Sequence, residues 1–329
     1  MPPVESPLPF PPGVTLKLGT PADFPQLAAF YTETTPEHPM TVTTLERFQA
    51  SLRPTDPFLL VMAVRDRKLV GVSEVSPSAL DNHPGWLGLE VTVARGEEAG
   101  PLPVPLLALA EHQARQAGAH TFTTVVHEGD WRQAFFEAHG YAEHDRMWMS
   151  TLDLHALNFA AFAQEEETAR ATGVRVRPLF ELGPWDEAHR RQLYALIAGV
   201  LQDVPSTTPV SVYPFEEWDR RYGQKIDHPE GLMVAVAPNG DWVGLSELYR
   251  EDPGRPDTLR IGLTGVRRDW RGHRLGLALK LVASRTALAR GYRYSKTGNH
   301  SSNRPMLAIN EAMGFVREAA RITLNKSTS

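Results

Sequence analysis

The run Arg271-Gly272-His273-Arg274-Leu275-Gly276 gathers arginine and glycine into one short turn. It follows residues 259–266, which are apolar and β-prone, and precedes Leu277-Ala278-Leu279-Lys280-Leu281-Val282-Ala283, which opens a helix reaching to about Arg290. A strand, a basic turn and a helix in that order suit an anion. The first backbone N–H groups of a helix have no internal partner, and the macrodipole makes that end positive. Glycine lets the backbone come close to a phosphate. Arg271 and Arg274 add charge-assisted hydrogen bonds. A pyrophosphate fits such a turn; the plain alternative is a solvated basic connection.

The residues downstream narrow the choice. Tyr294-Ser295-Lys296-Thr297 reads as the next strand. Ser302 or Asn303 then caps a helix with Pro305 in its first turn, and Gly314 ends it. The chain thus carries V-x-x-x-x-R-G-x-x-L-G from Val266 to Gly276, T-x-N from Thr297 to Asn299, and N-x-x-M-x-x-x-N-x-x-x-G-F from Asn303 to Phe315. These blocks resemble the GNAT superfamily of N-acetyltransferases, and within it the tandem type with two copies per chain.

The resemblance implies an α/β fold, a twisted mixed sheet flanked by helices, in two tandem domains. It implies a splayed V between the fourth and fifth strands, where acetyl-CoA lies. By position, the backbone amides of Arg271, Gly272, His273, Arg274, Leu275 and Gly276 would hold the pyrophosphate. Thr264, Gly265 and Val266 would pair with the pantetheine arm, the Val266 amide lying near the thioester oxygen, and Asn303 would contact the arm from the other side. Two positions depart from the family pattern. Arg274 stands where glycine is usual, so a left-handed turn or close approach must be met another way. Asn310 stands where a tyrosine often reprotonates the leaving thiolate; an asparagine donates hydrogen bonds but no proton.

Amine attack on a thioester needs a base, and the oxyanion needs a fixed donor, here the Val266 N–H. Glu247, on the strand before the cofactor strand, is the first candidate base, against the plainer reading of a solvent-facing strand residue. Asp203 in Leu201-Gln202-Asp203-Val204-Pro205 is the second, as base or as partner of a cationic amine, against that of a turn residue before proline. Tyr213, Trp218, Tyr222 and Tyr249 read as core aromatics before pocket walls. No histidine has ligand spacing, and no metal is expected.

The elements that position these residues occur twice. Val70-Gly71-Val72-Ser73-Glu74-Val75 matches Val243-Gly244-Leu245-Ser246-Glu247-Leu248 at an offset of 173 residues. Residues 89–93 match 262–266, and Gly118 matches Gly291, at that same offset. Such a register marks two copies of one fold. The expected layout is a flexible proline-rich arm at 1–13, a first domain at 14–155, a helical connector at 156–173 and an acetyl-CoA-binding catalytic domain at 174–326. Extra residues of the second copy fall within 201–229. In the first copy the matching turn reads Arg95-Gly96-Glu97-Glu98-Ala99-Gly100-Pro101-Leu102-Pro103-Val104-Pro105. Its carboxylates repel a pyrophosphate and its prolines remove N–H donors, so this copy is expected not to bind the cofactor.

Bulk properties set the frame. A chain of 329 residues has room for two domains. A formal charge of −5 argues against nucleic acid or an acidic membrane as the main partner. The absence of cysteine excludes disulfides and a thiol nucleophile, so transfer is expected to be direct. The first 13 residues hold six prolines and no basic n-region, and no stretch reaches the length of a membrane span. The expectation is a cytoplasmic enzyme acting on a small-molecule amine, as a homodimer or as a monomer whose two copies make an internal pseudo-dimer. Competing readings are a peptide or protein N-acetyltransferase and a non-catalytic acyl-CoA sensor or scaffold.

Overall fold

A computed structural model of the chain describes residues 6–36, 39–78, 83–205, 212–224, 226, 229–252 and 255–328; the side chains of 221, 229 and 249–252 lie outside that description. Two compact units emerge, Met1–Arg146 with Arg321–Ser329, and Met147–Ala320. The chain first forms β1 (Val14–Leu18), α1 (Phe24–Thr34), α2 (Val42–Ser51), β2 (Leu59–Arg65), β3 (Lys68–Pro77), β4 (Trp86–Val93), α3 (Pro103–Gln116), β5 (Thr121–His127), α4 (Trp131–Ala138) and β6 (Ala142–Asp153). It continues with α5 (Ala163–Arg170), β7 (Arg175–Pro178), α6 (Glu187–Leu201), α7 (Phe215–Trp218), β8 (Leu232–Val236), β9 (Trp242–Asp252) and β10 (Arg255–Val266). Last come α8 (Leu275–Ala289), β11 (Tyr294–His300), α9 (Arg304–Met313), β12 (Val316–Arg317) and β13 (Arg321–Ser327).

The repeat is visible in local geometry. Gly118 after α3 and Gly291 after α8 take φ of +85° and +86°, the left-handed exit that glycine gives a helix at no steric cost. Asp130 and Asn303 cap α4 and α9, accepting from Arg132 N at 2.8 Å and Met306 N at 3.3 Å. Within the segment 156–173, a 3-10 turn at Phe159–Phe162 leads into α5.

Each unit builds a mixed sheet. In the first, the strand order is β1-β2-β3-β4-β5-β13, antiparallel except for β4 with β5. In the second it is β7-β8-β9-β10-β11-β6, antiparallel except for β10 with β11. The copies have exchanged their last strands. Residues 147–153 of β6 pair with β11, and β13 pairs with β5. The units therefore differ from the stretches 14–155 and 174–326: the chain passes from one unit to the next inside β6, and its final strand closes the first sheet.

Helices cover both faces. In the second unit, alternate β8 residues go to separate cores: Met233 and Ala235 pack with α8 and α5, and Leu232 and Val234 with α6. In the first, Leu60, Met62 and Val72 pack with Phe24, Leu27, Phe30 and Tyr31 of α1, while Ser73 on the opposite face donates to the Leu106 carbonyl of α3 at 3.1 Å. Among the described residues, no helix is long and apolar enough to cross a membrane, and no group of three or more histidine, aspartate or glutamate residues is placed to hold a metal ion.

Candidate active site

A short 3-10 turn, Arg268–Trp270, leads out of β10. Gly272 follows with φ +84°, and Arg274 caps α8 at φ +60°, ψ +10°. The position where glycine is usual thus keeps the left-handed turn and places a Cβ-bearing residue in it, at a steric cost of about 1–2 kcal/mol. Among the described residues, the backbone N–H groups of Gly272, His273, Arg274, Leu275, Gly276 and Leu277 have no hydrogen-bond partner; the ladder of α8 starts at Ala278 N, on the Arg274 carbonyl at 3.0 Å. A Cβ built on Gly276 comes no closer than 3.8 Å to Ile309 and 4.0 Å to Val266, so it would make ordinary contacts and no clash. Leu275 is buried under the turn, and the exposed His273 has Nδ1 3.3 Å from the Trp270 carbonyl.

The arginines divide. The side chain of Arg271 donates to the Val266 carbonyl at 3.0 Å and to Asp203 at 2.5 Å, and Arg268 donates to the other Asp203 oxygen at 2.6 Å. Arg274 is exposed and carries no ion pair among the described residues. Asp203 is therefore the clamp that ties the end of α6 to the turn. The Arg268 guanidinium, with Arg271, holds its carboxyl below the usual range. A carboxylate so paired is a poor proton acceptor.

Next to the turn the sheet opens. The parallel ladder of β10 with β11 ends at Ile261 opposite Thr297, while β10 runs on beside β9 to Val266 and β11 beside β6 to His300. Residues 262–266 and 298–300 thus flank a V. Arg267 N donates to the Val243 carbonyl at 2.8 Å. Strand N–H groups alternate in direction, so the Val266 N–H points from β9 toward the opening. Thr264 is joined to Ser246 through their hydroxyls at 2.9 Å. Gly265 is required where it stands, because a Cβ there would lie 2.1 Å from Val200 Cγ1 of α6.

Glu247 lies on the α6 face of β9, opposite Leu232. Its carboxylate accepts from Leu263 N at 3.1 Å, at the register shift where β10 bulges between Ile261 and Thr264. Burial raises its pKa, and the Leu263 N–H partly opposes the rise. Glu247 is thus half-buried and tied to β10, unlike a solvent-facing strand residue.

Asn310 is 2% exposed and bonded through both its oxygen and its nitrogen. It accepts from Lys280 Nζ at 2.7 Å and donates to Asn299 Oδ1 at 2.6 Å. Lys280, 1% exposed on α8, lies 4.9 Å from the Phe315 ring and has no acidic partner among the described residues. Burial lowers its pKa to about 7. As an ammonium Lys280 only donates, and in that form it fixes which way the Asn310 amide faces, and Asn310 in turn fixes Asn299. Sequence reasoning missed Lys280; the signal was a lysine inside the apolar run Leu277-Ala278-Leu279-Lys280-Leu281. Asn303 spends its side-chain oxygen on capping α9 and keeps its amide N–H groups. Trp218 and Tyr213 belong to the α6 core, Tyr222 is exposed, and the side chain of Tyr249 lies outside the description. Of the extra segment at 201–229, residues 206–211, 225, 227 and 228 lie outside it too.

The matching turn of the first unit differs in its donors. Glu98 accepts from Gly96 N at 2.6 Å, and Glu97 pairs with Arg65. Glu97 N and Gly100 N are bonded to backbone carbonyls at 3.0 Å each, and prolines occupy 101, 103 and 105.

Residues 198–315 match the family model described as Acetyltransferase (GNAT) family. The chain has the fold of tandem GNAT proteins. A GCN5-related N-acetyltransferase from Sphaerobacter thermophilus matches over 97% of both chains at 18% identity, with a TM-score of 0.73. A tandem GNAT protein from the clavulanic acid biosynthesis pathway matches at 18% identity and a TM-score of 0.72, over 95% of this chain and 98% of its own. None of the curated proteins compared matches the sequence significantly.

Proposed function

We propose that the protein transfers an acetyl group from acetyl-CoA to a primary amine of a small-molecule acceptor, in the second unit, by direct attack. The observation that carries this reading is the row of unpartnered N–H groups from Gly272 to Leu277 at the start of α8, beside an open V between β10 and β11. That row suits the pyrophosphate, with Arg274 adding a free cation. The unpaired edge at 264–266 suits an extended amide-bearing arm, and Asn303, at the start of α9, keeps amide N–H groups to offer it.

The Val266 N–H stands in the position of oxyanion donor. Glu247 is the base: burial moves its pKa toward working pH, which favours proton transfer from the amine. Asn310, bonded at both ends, supplies no proton to the departing thiolate and acts by holding Asn299. The first unit, with Glu98 on its own Gly96 amide, leaves the cofactor to the second. A chain without cysteine suits the reducing cytoplasm.

The test is thiol release from acetyl-CoA with a panel of primary amines and peptides. Turnover with small amines and not with peptides supports the reading. Measured acetyl-CoA binding without turnover on any amine favours the sensor instead.

A further inference from the structure

A line of hydrogen bonds runs from the middle of α8 to the V. Lys280 Nζ donates to Asn310 Oδ1 at 2.7 Å, and Asn310 Nδ2 donates to Asn299 Oδ1 at 2.6 Å. Lys280 and Asn310 are 1% and 2% exposed, and Asn299 is half-buried on the β11 flank of the V. The line thus starts at a lysine inside the core and ends where β10 and β11 have parted.

Its direction is dictated at the buried end. An ammonium has three donors and no acceptor, so Asn310 must turn its oxygen to Lys280. The Asn310 nitrogen then faces Asn299, which must turn its own oxygen inward. That leaves the Asn299 nitrogen, with two N–H groups and no partner among the described residues, at the edge of the V.

No carboxylate among the described residues offsets the buried amine. Burial alone acts on Lys280, and beside it stand the uncharged Asn310 and the Phe315 ring at 4.9 Å. The charged groups of the same three elements are engaged elsewhere or exposed. Arg285 pairs with Glu166, Glu311 with Arg317 and Lys296 with Glu318, and Arg304 lies on the surface. His300, next to Asn299, has Nδ1 against the Ser302 N–H and hydroxyl at 3.0 and 2.6 Å. A buried amine without a charged partner is costly, and here its hydrogen bond goes to the amide that sets Asn299.

We propose that Lys280 is a positioning residue for cofactor binding: through Asn310 it holds the Asn299 amide with its N–H groups toward the V, where they donate to the acyl-CoA arm. This role presupposes acetyl-CoA in that V. It also makes cofactor binding depend on a proton. A neutral amine accepts as well as donates, so loss of the Lys280 proton lets both amides turn over and the Asn299 nitrogen turn inward. Burial brings the Lys280 pKa down to about 7, so the donor is fixed below that pH and free to turn above it. By reciprocity, a bound arm that accepts from Asn299 strengthens the hold of Lys280 on its proton.

The test is calorimetry of the full chain with acetyl-CoA. At about pH 8, in two buffers of different ionisation enthalpy, the parent is expected to take up part of a proton on binding, and Lys280→Met none of that part. At about pH 6, Asn299→Ala is expected to weaken binding about threefold to tenfold, the worth of one hydrogen bond. Adding Lys280→Met to Asn299→Ala weakens it no further. Asn310→Asp separates this role from a structural one. Its carboxylate pairs with the Lys280 ammonium and can only accept, so it draws the Asn299 N–H groups inward. Binding is expected to weaken as in Asn299→Ala, at an equal or higher Tm. Parent-like affinity in Asn310→Asp, additive losses in the double variant, or equal proton uptake by parent and Lys280→Met each overturns the role of Lys280 while acetyl-CoA still binds. A parent with no saturable acetyl-CoA binding overturns the site itself, and this role with it.

Discussion

Replacing Lys280 with methionine changes the pH dependence of stability in a calculable way. Burial lowers the Lys280 pKa from 10.5 to about 7. At about 1.4 kcal/mol per unit, this is a penalty of about 5 kcal/mol below about pH 7, where both the folded and the unfolded chain are protonated. The sign follows from proton counts. Between pH 7 and 10.5 the unfolded state binds more protons than the folded one, so this group makes stability rise with pH across that window. Methionine matches the unbranched shape and removes the penalty. It also leaves the buried Asn310 Oδ1 without its donor, which costs about 1–3 kcal/mol at every pH. Lys280→Met is therefore expected to be more stable than the parent by about 2–4 kcal/mol at pH 6, and less stable by about 1–3 kcal/mol above pH 10.5, crossing near pH ~9. Urea midpoints across that range, at unchanged m, read the effect. A loss of stability that is the same at pH 6 and pH 10 would refute the reasoning, since it would mean that Lys280 is not destabilised by burial.

Arg274→Gly removes a Cβ from a left-handed position and is expected to raise stability by about 0.5–1 kcal/mol, read as a higher Tm; a lower Tm contradicts the strain. Asp203→Ala breaks the clamp on Arg268 and Arg271 and is expected to change kcat by less than about threefold; a base would instead cost about 10²-fold or more. Glu247→Gln is expected to lower kcat by about 10²–10⁴-fold at little change in acetyl-CoA affinity. In the parent, kcat/KM is expected to rise with pH through a limb above the ordinary glutamate range, because burial raises this carboxyl. That limb should vanish in the glutamine variant, and its survival would point to another base.

The sequence made the local features readable. The α8 turn depends on glycine placement and a helix start, and both are written in residues 271–276. The repeat was legible through β3 and β9 because a strand's alternation survives divergence. The exchange of β6 and β13 was not, since both are ordinary strands whose neighbours are set by pairings far apart in sequence. The ion pairs of Asp203 were not legible, because an aspartate before proline shows nothing of the two arginines that reach it from 65 and 68 residues away. Asn310 was placed correctly on its helix, but its commitment to Lys280 and Asn299 depends on how α8, α9 and β11 pack.

The claim on which the account rests is that the backbone before α8 holds the pyrophosphate of acetyl-CoA. Gly276→Glu tests it directly, because the built Cβ meets nothing closer than 3.8 Å and the fold should survive the change. Calorimetry of the full chain with acetyl-CoA is expected to show one saturable site in the parent and none in the folded Gly276→Glu variant. Parent-like affinity in that variant would contradict the account.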